Sequence, residues 1–460
     1  MRPGRRVSAA IVIAASVTVL GLIGLAADVF AGFRRQAADA LFPSDELDSR
    51  LLVVGVDARS ILETAEPWPW PRSLQARMID ELTKAGASMV LLDVLYHPAT
   101  DDDPALAEAL ARAPDAVLAA AAELAGEGAL PLLRAPFLTE PVAPVAAVAA
   151  VGHVNITPDS ADAVVRALPL AIEGPDGAVV PSLTLVALGR LEGLGGQVIL
   201  RRNGIQLGDR FLPTDSLGRL EINYTAALRS GAPDVPYRSA ADVVGGRLRP
   251  GELEGRVVLV GATDPALGDA HVTPVDKGGR MPGVFIHANA LNTLLTRSYL
   301  TPASDVRTVA WIFGLAALVA GATLALPLWG AALVAGAAVA AHVVIGIARF
   351  RSGLVVDLLY PTLAVAVAFV AALAFRSAME ARDRRRIGEV LHQYVPPDIA
   401  RQLIDKGAPG GHLPSGTITF MFTDVVGSTA TWESHPREMG RAMRMHDSII
   451  ESSVQVNGGA

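Results

Sequence analysis

The sequence predicts an α/β domain held between membrane-spanning helices, followed by the opening of a second, mixed α and β domain. Three observations predict it. Four long apolar runs are free, or nearly free, of charge. Strand-like apolar segments between the first and second runs surround an amphipathic helix. After the last run, a β-branched stretch ends in an aspartate and a glycine turn.

The first run, Val7–Ala27, follows Arg2, Arg5 and Arg6 and carries no charge. At about 1.5 Å per residue it covers the ~30 Å hydrocarbon layer of a bilayer. A secretory signal peptide competes with this reading, because a basic start suits one too. The run outlasts the usual ~7–15 residues, and its small-residue "LAAD" falls only at the end, so we expect an uncleaved anchor. Thr308–Leu326 and Trp329–Ala348 read as a helical hairpin about Pro327. Leu354–Phe375 reads as a further span, interrupted only by Asp357.

Four crossings put both termini on one side. Arg2, Arg5 and Arg6 precede the first span, and Arg376, Arg382, Arg384, Arg385 and Arg386 follow the last. The positive-inside rule then places residues 1–6 and 376–460 in the cytoplasm and 28–306 outside, in a multi-pass protein of the cell membrane. Arg34, Arg35, Arg349 and Arg351 oppose that bias without reversing it. Within the later runs only His342 and Asp357 are ionisable, and both suit the outer interface. The spans are therefore expected to be anchors in the lipid bilayer, not a transport path.

Composition narrows the class. The 460 residues allow roughly three domains at about 150 residues each. Hydrophobic residues make up 51% and charged residues 18% of the chain, which excludes both a disordered and a purely soluble protein. A formal net charge of −7 argues against nucleic acid as a partner. The absence of cysteine excludes disulfides, thiolate catalysis and cysteine-held metals.

In the region 28–306, Arg50–Asp57, Ser88–Tyr96, Ala116–Ala121 and Arg256–Thr263 read as buried strands. Between the first two, Leu74, Met78, Ile79 and Leu82 recur at helical spacing, and Gly86 ends the helix. Strand–helix–strand predicts a parallel α/β unit. Gly218–Ala226 alternates like a half-exposed strand. Asp57, Asp93 and Asp269 fall at or beyond strand ends, where such sheets keep ligand sites. Helix capping and turn-making account for aspartates there as well. "WPWPR" (Trp68–Arg72) is expected to pack over the core.

Those motifs carry a resemblance. "WPWPR", the "LLDVLY" strand, "FLPTDSLGRLEINY" (Phe211–Tyr224) and above all Gly255–Leu295 resemble the second class of CHASE sensor domains, over roughly residues 40–300. These are bacterial extracytoplasmic sensors, similarly placed with one span before and three after. The resemblance implies an extracytoplasmic ligand without naming it. His287 and Asn289 are expected to be packing residues; a metal held by Asp269, His271 and His287 is the minor alternative.

Beyond the last span, Ile387, Val390 and Leu391, then Ile399, Leu403 and Ile404, recur at helical intervals on either side of Pro396 and Pro397. These signalling helices, within 376–414, suit pairing with a twin in a dimer or packing on their own domain. Thr417–Phe422 then reads as a strand ending in Asp424, with Gly427 allowing a tight turn into a helix. A carboxylate for a hard cation and helix-start N–H groups for phosphate form a sensible phosphate and magnesium site. Strand–Asp–Gly turns are also common without one.

"FMFTDVVGST", with the following "WE…HP…M…HD" helix, resembles the opening of a class III adenylate/guanylate cyclase domain, over residues 415–460. "LHQYVPPDIARQLI" is similar to the helical segment that often precedes it. The resemblance implies a ferredoxin-like α+β fold and conversion of ATP, or GTP, to a 3′,5′-cyclic nucleotide and pyrophosphate. It also implies two Mg2+ or Mn2+ ions and a homodimer with sites between protomers. Asp424 corresponds to a metal-binding catalytic aspartate, Val425 to a carbonyl ligand, and Val426, Gly427, Ser428 and Thr429 to the triphosphate turn. The family's second metal aspartate and its later catalytic residues have no match; Asp447 lies in the intervening helix and is expected to face elsewhere. The 460-residue chain is expected to be inactive alone. The alternative is a non-catalytic sensor with a vestigial cyclase segment.

Overall fold

Alternation within the apolar strands builds a sheet buried on both faces. The computed structural model describes residues 3–42, 47–225, 228–229, 232–233, 236–394, 423 and 425–457. A 7-stranded sheet comprises β1 (Leu51–Val56), β2 (Met89–Leu95), β3 (Ala116–Glu123), β4 (Phe137–Thr139), β5 (Ala150–His153), β6 (Tyr237–Ser239) and β7 (Val257–Ala262). The strands run in the order β6, β1, β7, β2, β3, all parallel. On β3, β5 pairs parallel and β4 antiparallel.

Side chains two apart point to the same face. Leu52, Val54 and Val56 of β1, Val258 and Val260 of β7, and Val90, Leu92 and Val94 of β2 fill one core layer. Against it pack helices Arg72–Lys84, through Met78, Ile79 and Leu82, and Asp103–Arg112, through Leu106 and Leu110. Trp70 of "WPWPR" lies in that layer and is 1% exposed. Leu51, Val53, Leu259, Met89 and Leu91 face the other layer, which is closed by helices Leu183–Leu191 and Gly283–Thr296. The expected parallel α/β unit is present, with one difference in order: β7 lies between β1 and β2. Among its described residues, the segment expected as a strand over Gly218–Ala226 is strand only at Arg219–Glu221, which pairs with Ala167–Pro169. Ile222 and Tyr224 then turn into the second layer.

Among the described residues, four helices are long and apolar enough to cross a membrane: Gly4–Ala26, Asp305–Ala325, Leu328–Arg351 and Leu359–Asp383. The last starts at Leu359 and not at Leu354, because Asp357 Oδ1 accepts the N–H groups of Leu359 and Tyr360 (2.9 and 3.1 Å). Leu354–Val355 instead pairs with Thr301–Pro302 as a short parallel ladder. Small residues let the spans approach. Ala14 and Val17 of the first, Ile312 and Ala316 of the second, and Ala364 and Ala368 of the fourth share one cluster. Tyr360 Oη donates to the Gly24 carbonyl (2.7 Å).

Residues 1–379 form one compact unit and 380–460 another. In the second unit, Ser428–Ser434 and Pro436–Val456 are helices. The expected strand Thr417–Phe422 and the helical residues Ile399, Leu403 and Ile404 lie outside the described residues.

Candidate crevice at the carboxyl edge of the sheet

Parallel strands place their loops on one edge, and the direction in which each connection leaves decides where that edge opens. From β1, β2 and β6 the chain enters helices of the first core layer. From β7 it crosses to the opposite face, into helix Gly283–Thr296. The carboxyl ends of β1, β7 and β2 therefore flank a switch point, and all three sequence-selected aspartates cluster about it.

Asp57 follows β1 and caps helix Ala58–Thr64. Its Oδ1 accepts the Ser60 N–H (2.8 Å) and the hydroxyls of Ser60 (2.7 Å) and Ser239 (2.9 Å). Its Oδ2 accepts the Tyr237 hydroxyl at 2.7 Å. Burial opposes ionisation, yet these hydrogen bonds outweigh it and hold the carboxyl below its ordinary range. Both oxygens are engaged within the protein. Asp57 thus takes the capping role open to it from sequence.

Asp93 differs. It lies on β2, on the same face as Met89 and Leu91, where the β2–β3 register shifts between Leu92 and Leu95. The side chain is partly accessible, so it is enclosed without being sealed. Burial, and secondarily the charge of Asp269, push its carboxyl up to about 8, and among the described residues no hydrogen bond opposes them. Gly261 on the adjacent β7 permits this crowding: a Cβ there would stand 2.8 Å from Val284 Cβ and 3.4 Å from Asp93 Cβ.

Asp269 precedes the hairpin strand Ala270–Thr273 and accepts from His271 Nε2 at 3.1 Å. Its carboxylate lies over Gly283, the first residue of helix Gly283–Thr296, where a Cβ would meet Asp269 Oδ2 at 2.5 Å. An anion at that end complements the helix dipole. One turn further on, His287 is fully enclosed: burial pushes it down to about 4, against the pull of Asp269 and the Val154 backbone. Burial, with His287 nearby, also pushes His153 at the end of β5 down to about 3. Both histidines are neutral, as packing residues require.

The remaining polar residues of that helix act as latches. Asn289 Oδ1 accepts the Thr225 N–H (3.0 Å), Thr293 Oγ1 the Asn223 N–H (3.0 Å) and Asn292 Oδ1 the Asp48 N–H (2.9 Å). Among the described residues, no group of three or more His, Asp or Glu is arranged to hold a metal ion, so Asp269, His271 and His287 do not form the metal site weighed from sequence.

Sequence reasoning missed Tyr237, Ser239, Thr263 and His153, all drawn to this edge by the fold. The signal available was the Asp-x-x-Ser spacing of Asp57 and Ser60, a helix-cap pattern. In the second unit, Asp424 lies outside the described residues. Val425–Gly427 form a turn in which the Val425 carbonyl accepts the Ser428 N–H (3.0 Å) and Gly427 is left-handed (φ +74°). Ser428 and Thr429 open the following helix. Asp447 is exposed and hydrogen-bonds His446 (3.1 Å).

Sheet and apolar helices together define an α/β domain joined to helices long and apolar enough to cross a membrane. The chain belongs to the CHASE2 domain family, whose profile matches residues 11–322 and so includes parts of the first and second spans. No curated protein and no solved structure matches it significantly.

Proposed function

We propose that the chain is the receptor portion of a membrane-bound class III nucleotide cyclase. In this reading the α/β domain lies outside the cell membrane with both termini in the cytoplasm. A small ligand is received at the crevice between Asp93 and Asp269, and the signal passes through the spans to a homodimeric output. That output converts ATP, with GTP as the alternative substrate, to the cyclic nucleotide and pyrophosphate.

One observation carries the sensing part: Asp93 stands at a topological switch point with a carboxyl that no hydrogen bond claims among the described residues. The output part is supported by the "FMFTDVVGST" motif and by the left-handed Gly427 turn that opens a helix after it. The two Mg2+ or Mn2+ ions belong to the same proposal. Asp424 and the Val425 carbonyl would contribute to their ligands, and the metals would lower the pKa of the attacking hydroxyl and neutralise developing charge. Val426, Gly427, Ser428 and Thr429 would supply N–H groups to the triphosphate.

The test is cyclic-nucleotide production by membranes containing the complete reading frame, supplied with Mn2+ and ATP or GTP, against Asp424→Ala. Product from the parent and at least about a hundredfold less from the variant supports the reading. Equal product removes Asp424 from the mechanism. No product from either leaves a non-catalytic receptor.

A further inference from the structure

A second site lies away from the crevice, where the α/β domain meets the spans. A cavity of about 280 Å³ opens there, with apolar walls from Leu25, Phe42 and Phe350. The two phenylalanines pack edge to face, their ring centroids 5.0 Å apart.

The charges around this cavity are unevenly matched. Each arginine that lines it already has a carboxylate. Arg34 pairs with Asp28 at 3.0 Å, Arg35 with Asp159, and Arg166 with both Asp39 and Asp162 at 2.7–2.9 Å. The carboxyls are not all taken. Asp39 belongs to Arg166, and Asp357 caps the last span. Glu221 and Asp305 also line the cavity. Among the described residues, neither side chain makes a hydrogen bond or a contact ion pair, while the Glu221 backbone lies in the ladder with Ala167. Glu221 is partly buried and opens on the cavity. Burial pushes its carboxyl up to about 7, and Arg166 offsets this only in part. Arg166 and Arg219 act on this carboxyl through space, and among the described residues no cation is in hydrogen-bonded contact with it.

We propose that this cavity binds a small organic cation with an apolar body, its ammonium on Glu221 and its apolar part against Phe42 and Phe350. An anion, including a lipid phosphate, finds no free guanidinium here. An ammonium finds a carboxylate whose oxygens are free to accept a charge-assisted hydrogen bond. This goes beyond the receptor reading and does not depend on any catalytic output.

The experiment measures binding by calorimetry to the whole chain in phosphatidylcholine nanodiscs, with 2-phenylethylammonium as probe. 3-Phenylpropionate serves as the isosteric anion. Saturable binding of the ammonium and none of the carboxylate is expected. Glu221→Gln, with its melting unchanged, should weaken the ammonium at least about tenfold. Ala38→Phe, which narrows the cavity while keeping Glu221, should weaken it too. Equal affinity in Glu221→Gln, preference for the carboxylate, or no saturable binding by the parent would each overturn the assignment.

Discussion

Arg166 grips Asp39 with two parallel hydrogen bonds, Nε to Oδ1 at 2.9 Å and Nη2 to Oδ2 at 2.7 Å, across 127 positions of sequence. Both residues are 9% exposed. Asp39 ends the helix Ala31–Asp39 that follows the first span, and Arg166 precedes the Ala167–Pro169 strand of the α/β domain. The pair therefore fastens the domain to the helix that follows the first long apolar helix. Its planar fork is a geometry that lysine cannot reproduce.

Removing one partner of a buried pair leaves an uncompensated charge. Arg166→Ala strands Asp39 and Asp162 together, so a loss of about 3 kcal/mol is expected. Arg166→Lys should fall between the two. Replacing both members, as Arg166→Met with Asp39→Leu, should recover much of the loss. Thermal melting in nanodiscs reads all four proteins; a single variant that melts like the parent would show that the pair does not fasten the junction.

The crevice carries two opposed pH dependences. Asp93 has a folded value near 8, against about 3.9 unfolded. Its protonated form is favoured by folding, so this contribution is complete below the unfolded value and is lost as pH rises through the folded one. Asp93→Asn should then equal the parent near pH 4 and exceed it at pH 8, by about 2 kcal/mol after allowing for partial solvent access. His153 and His287, held down to about 3 and 4, act in the other direction. Their contribution is present above about 6.5 and is lost as pH falls through the folded values. Melting across pH 4–9 checks both limbs. An Asp93→Asn curve parallel to the parent at every pH contradicts the assigned environment.

Much of the sheet was legible because strands covered on both faces are apolar throughout. Leu51–Val56, Met89–Leu95 and Val257–Ala262 announce themselves in that way. Their lateral order was not legible. β7 arrives some two hundred residues after β1, and nothing local states that it will part β1 from β2. Tyr237–Ser239 is too short to stand out, yet it supplies two of the hydroxyls that hold Asp57. The start of the last span was misplaced for a different reason. Apolar residues stand on both sides of Asp357, so hydropathy alone does not begin the span there, whereas hydrogen bonding begins the helix just after it. In the crevice, residue types pointed to Asp57, Asp93 and Asp269 equally. Only the fold separates the capped Asp57 from the unclaimed Asp93.

Two glycines at the strand ends are set by close approach. Gly55 and Gly261 are paired across β1 and β7. A Cβ on Gly55 would meet Tyr237 Cε2 at 2.5 Å, and one on Gly261 would meet Val284 Cβ at 2.8 Å. Neither neighbour is the loose end of a flexible chain. Gly55→Ala and Gly261→Ala should each cost about 1–3 kcal/mol by overpacking. Gly261→Ala should also separate helix Gly283–Thr296 from Asp93 and bring the carboxyl back toward its ordinary range. Denaturant melts and the pH dependence of each variant test this; a Gly261→Ala protein with unchanged stability would show that the helix start is not so closely seated.

Asp57 offers the cleanest separation of capping from ligand contact. Asp57→Ala removes the acceptor for the Ser60 N–H and leaves the Tyr237 hydroxyl with Thr263 alone, at 3.3 Å. Loss of an N-cap costs about 1 kcal/mol, and the stranded hydroxyls raise the expected total to about 2 kcal/mol. Asp57→Asn keeps an acceptor for Ser60 while giving up the charge, so roughly half that loss is expected. Both effects belong to stability and should appear in thermal melts of the unliganded protein. If Asp57→Ala left melting unchanged, the capping role would be refuted.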